Sequence, residues 1–168
     1  MIDLSILKAI DGESSRYPVR NWSPAHCGEM DLVIRADGTW VHHGSVIKRT
    51  ALIKLFEKIL WRDHQDRYVL RTPVEEVTIE VEDLPLQVSS VIQSGRNFIA
   101  IVGANEWPIS IEQAKSIRID ADDRLALQFD GPLWARFSRQ ANFDFLSLAS
   151  VDGQTLCWEG IDGHLVIQ

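Results

Sequence analysis

The sequence predicts an α+β fold built from a duplicated hairpin–helix–two-strand unit, with mostly antiparallel sheets, and three observations carry that expectation. Antiparallel hairpin signals alternate with single apolar-striped helices, the pattern of segregated α and β elements. One order of turn, strand, glycine, arginine and helix occurs twice. The first copy, within residues 31–83, runs Ala36-Asp37-Gly38-Thr39-Trp40-Val41, then Gly44, Ile47 and Arg49, then a helix. The second, within residues 117–168, runs Ala121-Asp122-Asp123-Arg124-Leu125-Ala126, then Gly131, Trp134 and Arg136, then another helix. Two β-type segments follow each helix. This order divides the chain into residues 1–84, an N-terminal segment with the first unit, and residues 85–168, connecting strands with the second. A duplicated unit creates a seam between its copies, and ligands favour such seams.

Taken in order, Leu4, Leu7 and Ile10 stand near helical spacing on a segment too short to be stable unless docked. Residues 11–28 hold two prolines and many turn formers, which predicts an irregular surface segment. Leu32 to His43 reads as a hairpin around Asp37-Gly38. Ile47, Ala51, Leu52, Leu55, Phe56, Ile59 and Leu60 mark one face of a first helix. Lys48, Arg49, Lys54, Lys58 and Arg62 occupy its remainder, with Glu57 the lone acid. Tyr68-Val69-Leu70 is a short strand, broken at Thr72-Pro73 because proline removes a ladder donor. Residues 74–83 alternate, with Val77, Ile79 and Val81 on one face and Glu76, Thr78, Glu80 and Glu82 on the other. Strands near Val88–Gln93 and Phe98–Val102 flank a Ser94-Gly95 turn.

In the second unit, Ile117-Arg118-Ile119 and Leu125-Ala126-Leu127 join through Asp122-Asp123. Asp130-Gly131-Pro132 reads as a helix start, with proline tolerated in the first turn. Leu133, Phe137, Ala141, Phe145 and Ala149 then recur every four residues. The chain ends on a hairpin of Thr155–Glu159, an Ile161-Asp162-Gly163 turn and Leu165-Val166-Ile167.

Composition narrows the function. A net charge of −7 argues against non-specific nucleic-acid binding, which needs a basic face to displace counterions. Two cysteines, Cys27 and Cys157, are too few for a disulfide framework and fit a reducing compartment. No secretory start and no run of about 18 apolar residues is found. The chain therefore reads as cytoplasmic, with neither a nucleic acid nor a membrane as partner.

The run from Trp22 to Pro85 resembles a bacterial family of uncharacterised proteins, domain of unknown function 1285. The resemblance lies in Trp22, Pro24, Cys27-Gly28, Asp31, Asp37-Gly38-Thr39-Trp40, Gly44, Ile47 and Arg49. It continues through Leu55-Phe56, Ile59-Leu60, Arg62-Asp63, Tyr68, Thr72-Pro73-Val74-Glu75 and Val81-Glu82-Asp83-Leu84-Pro85. Trp107-Pro108-Ile109 stands where that family usually has histidine-proline-leucine. The resemblance implies a second domain superficially like a pleckstrin-homology fold. It further implies a ligand site at the domain interface, for a nucleotide-like molecule, and a role in signalling.

Candidate chemistry begins with Glu75 and Asp83, which have the parity of the apolar face. A buried carboxylate needs a cation or several donors, and Arg49 and Arg62 are the nearest of suitable reach; both acids could instead sit at strand ends, open to solvent. The basic face of the first helix, with Arg49 near its start, suits a phosphate or is an ordinary solvated face pairing with the acids of strand 74–83. Adjacent His42 and His43 on a strand would point to opposite faces and could not share an ion. Neither Cys-x-x-Cys nor His-Glu-x-x-His occurs, so no metal is expected. Gly-x-Ser-x-Gly and phosphate-loop patterns are missing too, and no cofactor is indicated.

The leading expectation is a non-catalytic ligand-binding or sensing protein with its site in the seam, lined by Arg49, Glu75, Trp107, Trp22 and Arg136. Arginine forks hold carboxylate or phosphate, and tryptophan stacks on a ring. The alternatives are an adaptor that holds another protein, or an enzyme using Glu75 or Asp83 as acid–base.

Overall fold

Two units make up the chain, Met1–Pro85 and Leu86–Gln168, and a six-stranded sheet organises each. The computed structural model describes residues 2, 4–5, 16–103, 105–109 and 117–159 with the backbone of 161–166. The amino-terminal apolar spacing through Leu7 and Ile10 lies outside the described residues.

In the first unit, β1 (His26–Ile34), β2 (Trp40–His42) and β3 (Ser45–Val46) form a meander, and α1 (Thr50–Ile59) leads into a second meander. That meander comprises β4 (Leu60–Arg62), β5 (Tyr68–Arg71) and β6 (Glu75–Val81). The sheet order is β3-β2-β1-β6-β5-β4, antiparallel throughout except for the parallel β1–β6 pair at its centre. Leu32, Ile34, Trp40, Phe56, Ile59, Leu60, Val69, Leu70 and Val77 form the core. Trp40 stacks on Phe56 at 5.8 Å, joining β2 to α1. Burying one such side chain stabilises the fold by about 1.5–3 kcal/mol.

The Asp37-Gly38 turn forms as the sequence predicts. Gly38 takes φ 85°, and Asp37 Oδ1 accepts from the Thr39 N–H at 2.9 Å. A second, tighter turn follows at His43 (φ 46°) and Gly44 (φ 73°), the doubly left-handed geometry that matches strand twist. It corrects the expectation for the two histidines. His43 lies in the turn rather than on a strand, so its ring comes within 4.2 Å of the His42 ring, and its Nδ1 lies 2.9 Å from Asp31 Oδ2. Among the described residues no group of three or more His, Cys, Asp or Glu is placed to hold a metal ion.

The second unit begins with the meander β7 (Leu86–Ser94), β8 (Asn97–Val102) and β9 (Asn105–Ile109). A further meander follows, β10 (Ile117–Ile119), β11 (Leu125–Asp130) and β12 (Leu133–Phe137). Then come α2 (Arg139–Ser147) and a small antiparallel sheet of β13 (Ser150–Asp152), β14 (Thr155–Trp158) and β15 (Ile161–Val166). The large sheet has the order β10-β11-β12-β7-β8-β9, again with one parallel pair, β12–β7. Phe145 on α2 is the centre of the aromatic core, 5.7 Å from Phe98, 5.6 Å from Phe137 and 4.5 Å from Trp158. The Trp158 Nε1–H donates to the Phe145 carbonyl at 2.7 Å, fastening β14 to the helix.

The structure corrects three expectations here. Residues 133–137 are a strand, not the first turns of a helix. A four-residue apolar spacing also fits a strand, since residues i and i+4 share a face at period 2; Gly131 (φ 54°) turns the chain into that strand. The helix starts one residue after Ser138, whose side-chain oxygen accepts from Ala141 N–H at 3.2 Å as its N-cap. Residues 161–163 lie in β15, and the last hairpin turns earlier, with Trp158 opposite Ile161. The equivalence of Arg49 with Arg136 that the shared order suggests also fails. Arg49 is the N-cap of α1, whereas Arg136 sits within β12. What the two large sheets do share is strand order: the first strand of one meander lies parallel to the last strand of the next.

Candidate functional site

The start of α1 concentrates positive charge in an acidic chain. Lys48, Arg49, Thr50 and Lys54 are exposed, and among the described residues no ion pair engages Lys48, Arg49 or Lys54. The expected pairing of this basic face with the acids of β6 is not among the ion pairs formed there. Arg49 caps the helix through its backbone carbonyl, which accepts from Leu52 N (3.0 Å) and Ile53 N (3.2 Å), and no side chain caps the helix start. Cations here oppose the helix dipole, which favours negative charge at this end by about 0.3–1 kcal/mol per charge. The other end of α1 obeys the dipole. Buried Arg16 donates from Nη1 to the Glu57 carbonyl (2.7 Å) and from Nη2 to the Leu60 carbonyl (2.8 Å).

The other predicted residues of the first unit lie on different elements. Glu75 opens β6, half-buried, and its backbone bonds with Thr72, whose N–H donates to the Glu75 carbonyl at 2.8 Å. The ion pairs of the described residues do not join Glu75 to Arg49 or Arg62. Glu76, the next residue, pairs with an arginine: Arg71 Nε donates to its Oε2, and both side chains are nearly buried. Asp83 is half-buried just after β6. Arg62 belongs to β4, 3.5 Å from Asp66 and over the Tyr68 ring at 5.6 Å. Trp22 packs near Tyr17 (6.0 Å), whose ring lies 5.6 Å from Lys58. Lys58 is nine residues beyond Arg49, so about 13 Å of helix separates the Trp22 neighbourhood from Arg49.

In the second unit, Trp107 on β9 packs against Phe129 at 4.7 Å, and its buried Nε1 has no hydrogen-bond partner among the described residues. Arg136 is buried, its Nη1 donating to Asp120 Oδ2 at 2.8 Å.

Asp120 heads the turn expected through Asp122-Asp123, and its side-chain geometry recurs in the first unit. Asp120-Ala121-Asp122-Asp123-Arg124 and Asp63-His64-Gln65-Asp66-Arg67 share an Asp-x-x-Asp-Arg pattern and one geometry. In each, the first aspartate's Oδ1 accepts from the N–H groups two and four residues on, at 2.9–3.1 Å. In each, the fourth residue takes a positive φ, 63° at Asp66 and 56° at Asp123. Burial pushes the Asp63 carboxyl up, but the Arg67 and Gln65 N–H groups and the Arg67 guanidinium outweigh it and hold it below its ordinary value. Asp120 is lowered likewise, burial being overcome by the Arg124 and Asp122 N–H groups and the charge of Arg136. The repeated pentapeptide was the available signal.

An open depression of 210 Å³ lies on the sheet face of the first unit where β1 and β6 run parallel. Cys27 and Glu29 of β1 stand opposite Glu76 and Thr78 of β6, with Gly28 between them and Arg67 at the edge. Arg67 Nε and Nη2 are held by Asp63 Oδ2 at 2.9 and 2.8 Å.

No helix among the described residues is long and apolar enough to cross a membrane. No curated protein matches the chain. Residues 17–84 match the N-terminal domain model of the domain of unknown function DUF1285. A solved DUF1285 family protein from Silicibacter pomeroyi DSS-3 is 26% identical, with 97% of this chain and 92% of that one covered at a TM-score of 0.79. Another, from Shewanella baltica OS155, is 27% identical, with 70% and 91% covered at 0.60. Both the residues of the first unit and the course of the chain thus resemble DUF1285 proteins, the first unit through the N-terminal domain model and the whole chain through the solved structures.

Proposed function

We propose that this protein is a non-catalytic binder or sensor of an anionic, nucleotide-like small molecule, whose anionic group is held at the start of α1. It would act in the bacterial cytoplasm, in signal transduction, and would be built from a duplicated unit whose second copy has a pleckstrin-homology-like form. The observation that carries the binding reading is the set of cations at Lys48, Arg49 and Lys54, placed against the helix dipole with no acid paired to them among the described residues. A bound anion reverses that penalty, because helix N–H groups and cations then point at one negative group. The common strand order and the two Asp-x-x-Asp-Arg turns support duplication, and a sheet followed by one helix supports the likeness of the second unit.

Thermal-shift titration with inorganic phosphate and adenine nucleotides tests the reading. At a hundred times the dissociation constant, a ligand specific to the folded state stabilises by about 2.7 kcal/mol. For a chain of this length that raises the melting temperature by about 5–10 °C. The shift should vanish in a Lys48→Ala, Arg49→Ala, Lys54→Ala triple variant. If neither phosphate nor nucleotide moves the wild type, the anion reading is wrong.

A second reading, an adaptor for another protein, has its own observation. Phe143, Leu148 and Val151 are 68%, 45% and 67% exposed within nine residues around the end of α2. Grouped apolar exposure of this kind marks interaction surfaces.

A further inference from the structure

We infer that the depression between β1 and β6 is a second binding site, for a small zwitterion of amino-acid size that carries an ammonium and a carboxylate group. This inference is independent of the anion at α1. At 210 Å³ the space is below the few hundred to 1,000 Å³ of drug-sized sites. A ligand of amino-acid size suits a depression of this volume.

The chemistry of the lining selects the charge pattern. Parity along the strands brings Cys27, Glu29, Glu76 and Thr78 to one face, and Arg67 shares that face with Arg71 through β5, whose Arg71 stands opposite Glu76. Glu76 is already neutralised by Arg71. Arg67 gives Nε and Nη2 to Asp63, while its Nη1 makes no hydrogen bond among the described residues and the side chain is 47% exposed. Glu29 has no ion pair among the described residues, and the Thr78 hydroxyl makes no hydrogen bond there. The depression therefore presents one cationic donor, one unneutralised carboxylate and one hydroxyl within a few residues of each other. A carboxylate complements Arg67, and an ammonium complements Glu29 with Thr78 beside it. A simple anion would face Glu29 unfavourably, and a simple amine would leave Arg67 unused.

Cys27 supplies the assay, because it is an exposed free thiol in the lining and Cys157, in the second unit, is a half-buried internal reference. The full chain is alkylated with iodoacetamide, and each cysteine is read by peptide mass spectrometry. Glycine, L-alanine and L-serine are the probes, with acetate and ethylamine as single-charge controls. An amino acid at about ten times its dissociation constant leaves roughly a tenth of the sites free, so Cys27 alkylation slows about tenfold while Cys157 is unchanged. Acetate and ethylamine should have little effect, and Glu29→Gln and Thr78→Val, checked for folding by circular dichroism, should each abolish or weaken protection. The inference is overturned if no amino acid slows Cys27, or if acetate protects as well as glycine. It fails equally if Glu29→Gln keeps full protection or Cys27 does not alkylate in the free protein. None of these outcomes depends on phosphate binding at α1.

Discussion

Replacing Asp63 tests how much of the first unit's stability resides in one turn. Its side chain is 1% exposed and accepts three hydrogen bonds, from the Gln65 and Arg67 N–H groups and from Arg67 Nε at 2.9 Å each, with Arg67 Nη2 paired to it at 2.8 Å. Hydrogen bonds to a charged group contribute about 1.5–3 kcal/mol each. The Arg67 pair counts for less, about 0–1 kcal/mol, because that arginine is 47% exposed and water competes for it. Asp63→Ala should therefore lower the unfolding free energy by about 3–7 kcal/mol. Asp63→Asn, which keeps an oxygen for the backbone donors, should cost about half of that. Urea unfolding followed by circular dichroism measures both. The pH dependence gives an independent check. A carboxyl lowered in the folded state contributes stability that is complete above its unfolded value, about 3.9, and is lost as pH falls through the folded value. The gap between wild type and Asp63→Asn should thus be full at pH 7 and shrink below about pH 4. A gap that is equal at pH 7 and pH 3, or an Asp63→Ala loss under about 1 kcal/mol, would refute this reasoning.

The related turn predicts an asymmetry: Arg67→Ala should cost about 1 kcal/mol or less, whereas Arg136→Ala, which removes a buried partner of Asp120, should cost about 2–4 kcal/mol. Arg16→Ala strips two charged donors from the end of α1 and should cost about 3–5 kcal/mol in urea unfolding, with Arg16→Lys recovering part of it. Phe145→Ala empties the centre of the second unit and should cost about 3–5 kcal/mol. Trp158→Phe, which loses mainly one hydrogen bond, should cost about 1 kcal/mol more than its change in buried area accounts for.

The elements legible in the sequence were those set by strong local chemistry. Asp37-Gly38 fixed a turn because glycine adopts φ 85° freely, and the face holding Phe56 and Ile59 fixed α1. The segment from Leu133 to Phe137 was misread because its spacing fits both periods, and only the Ser138 cap marks the true helix start. The parallel pairings at the centre of each large sheet join strands far apart in sequence, which no local pattern announces. Among the site residues, Arg49 stands exposed at a helix start as its position predicted. Arg136 could not be seen to be occupied, since Asp120 meets it only through strand pairing, 16 residues away in sequence. Parity drew attention to Glu75 alone, and the pairing of Glu76 was not legible because Arg71 stands opposite it only through the β5–β6 register.

The measurement closest to the central claim is an amide NMR titration of the full chain with inorganic phosphate. Anion binding at the start of α1 predicts that the largest, saturable shifts fall on the Arg49 to Leu52 amides, and that they disappear in Arg49→Ala while the rest of the spectrum is kept. Shifts confined to other parts of the chain, or none at saturating phosphate, would contradict it.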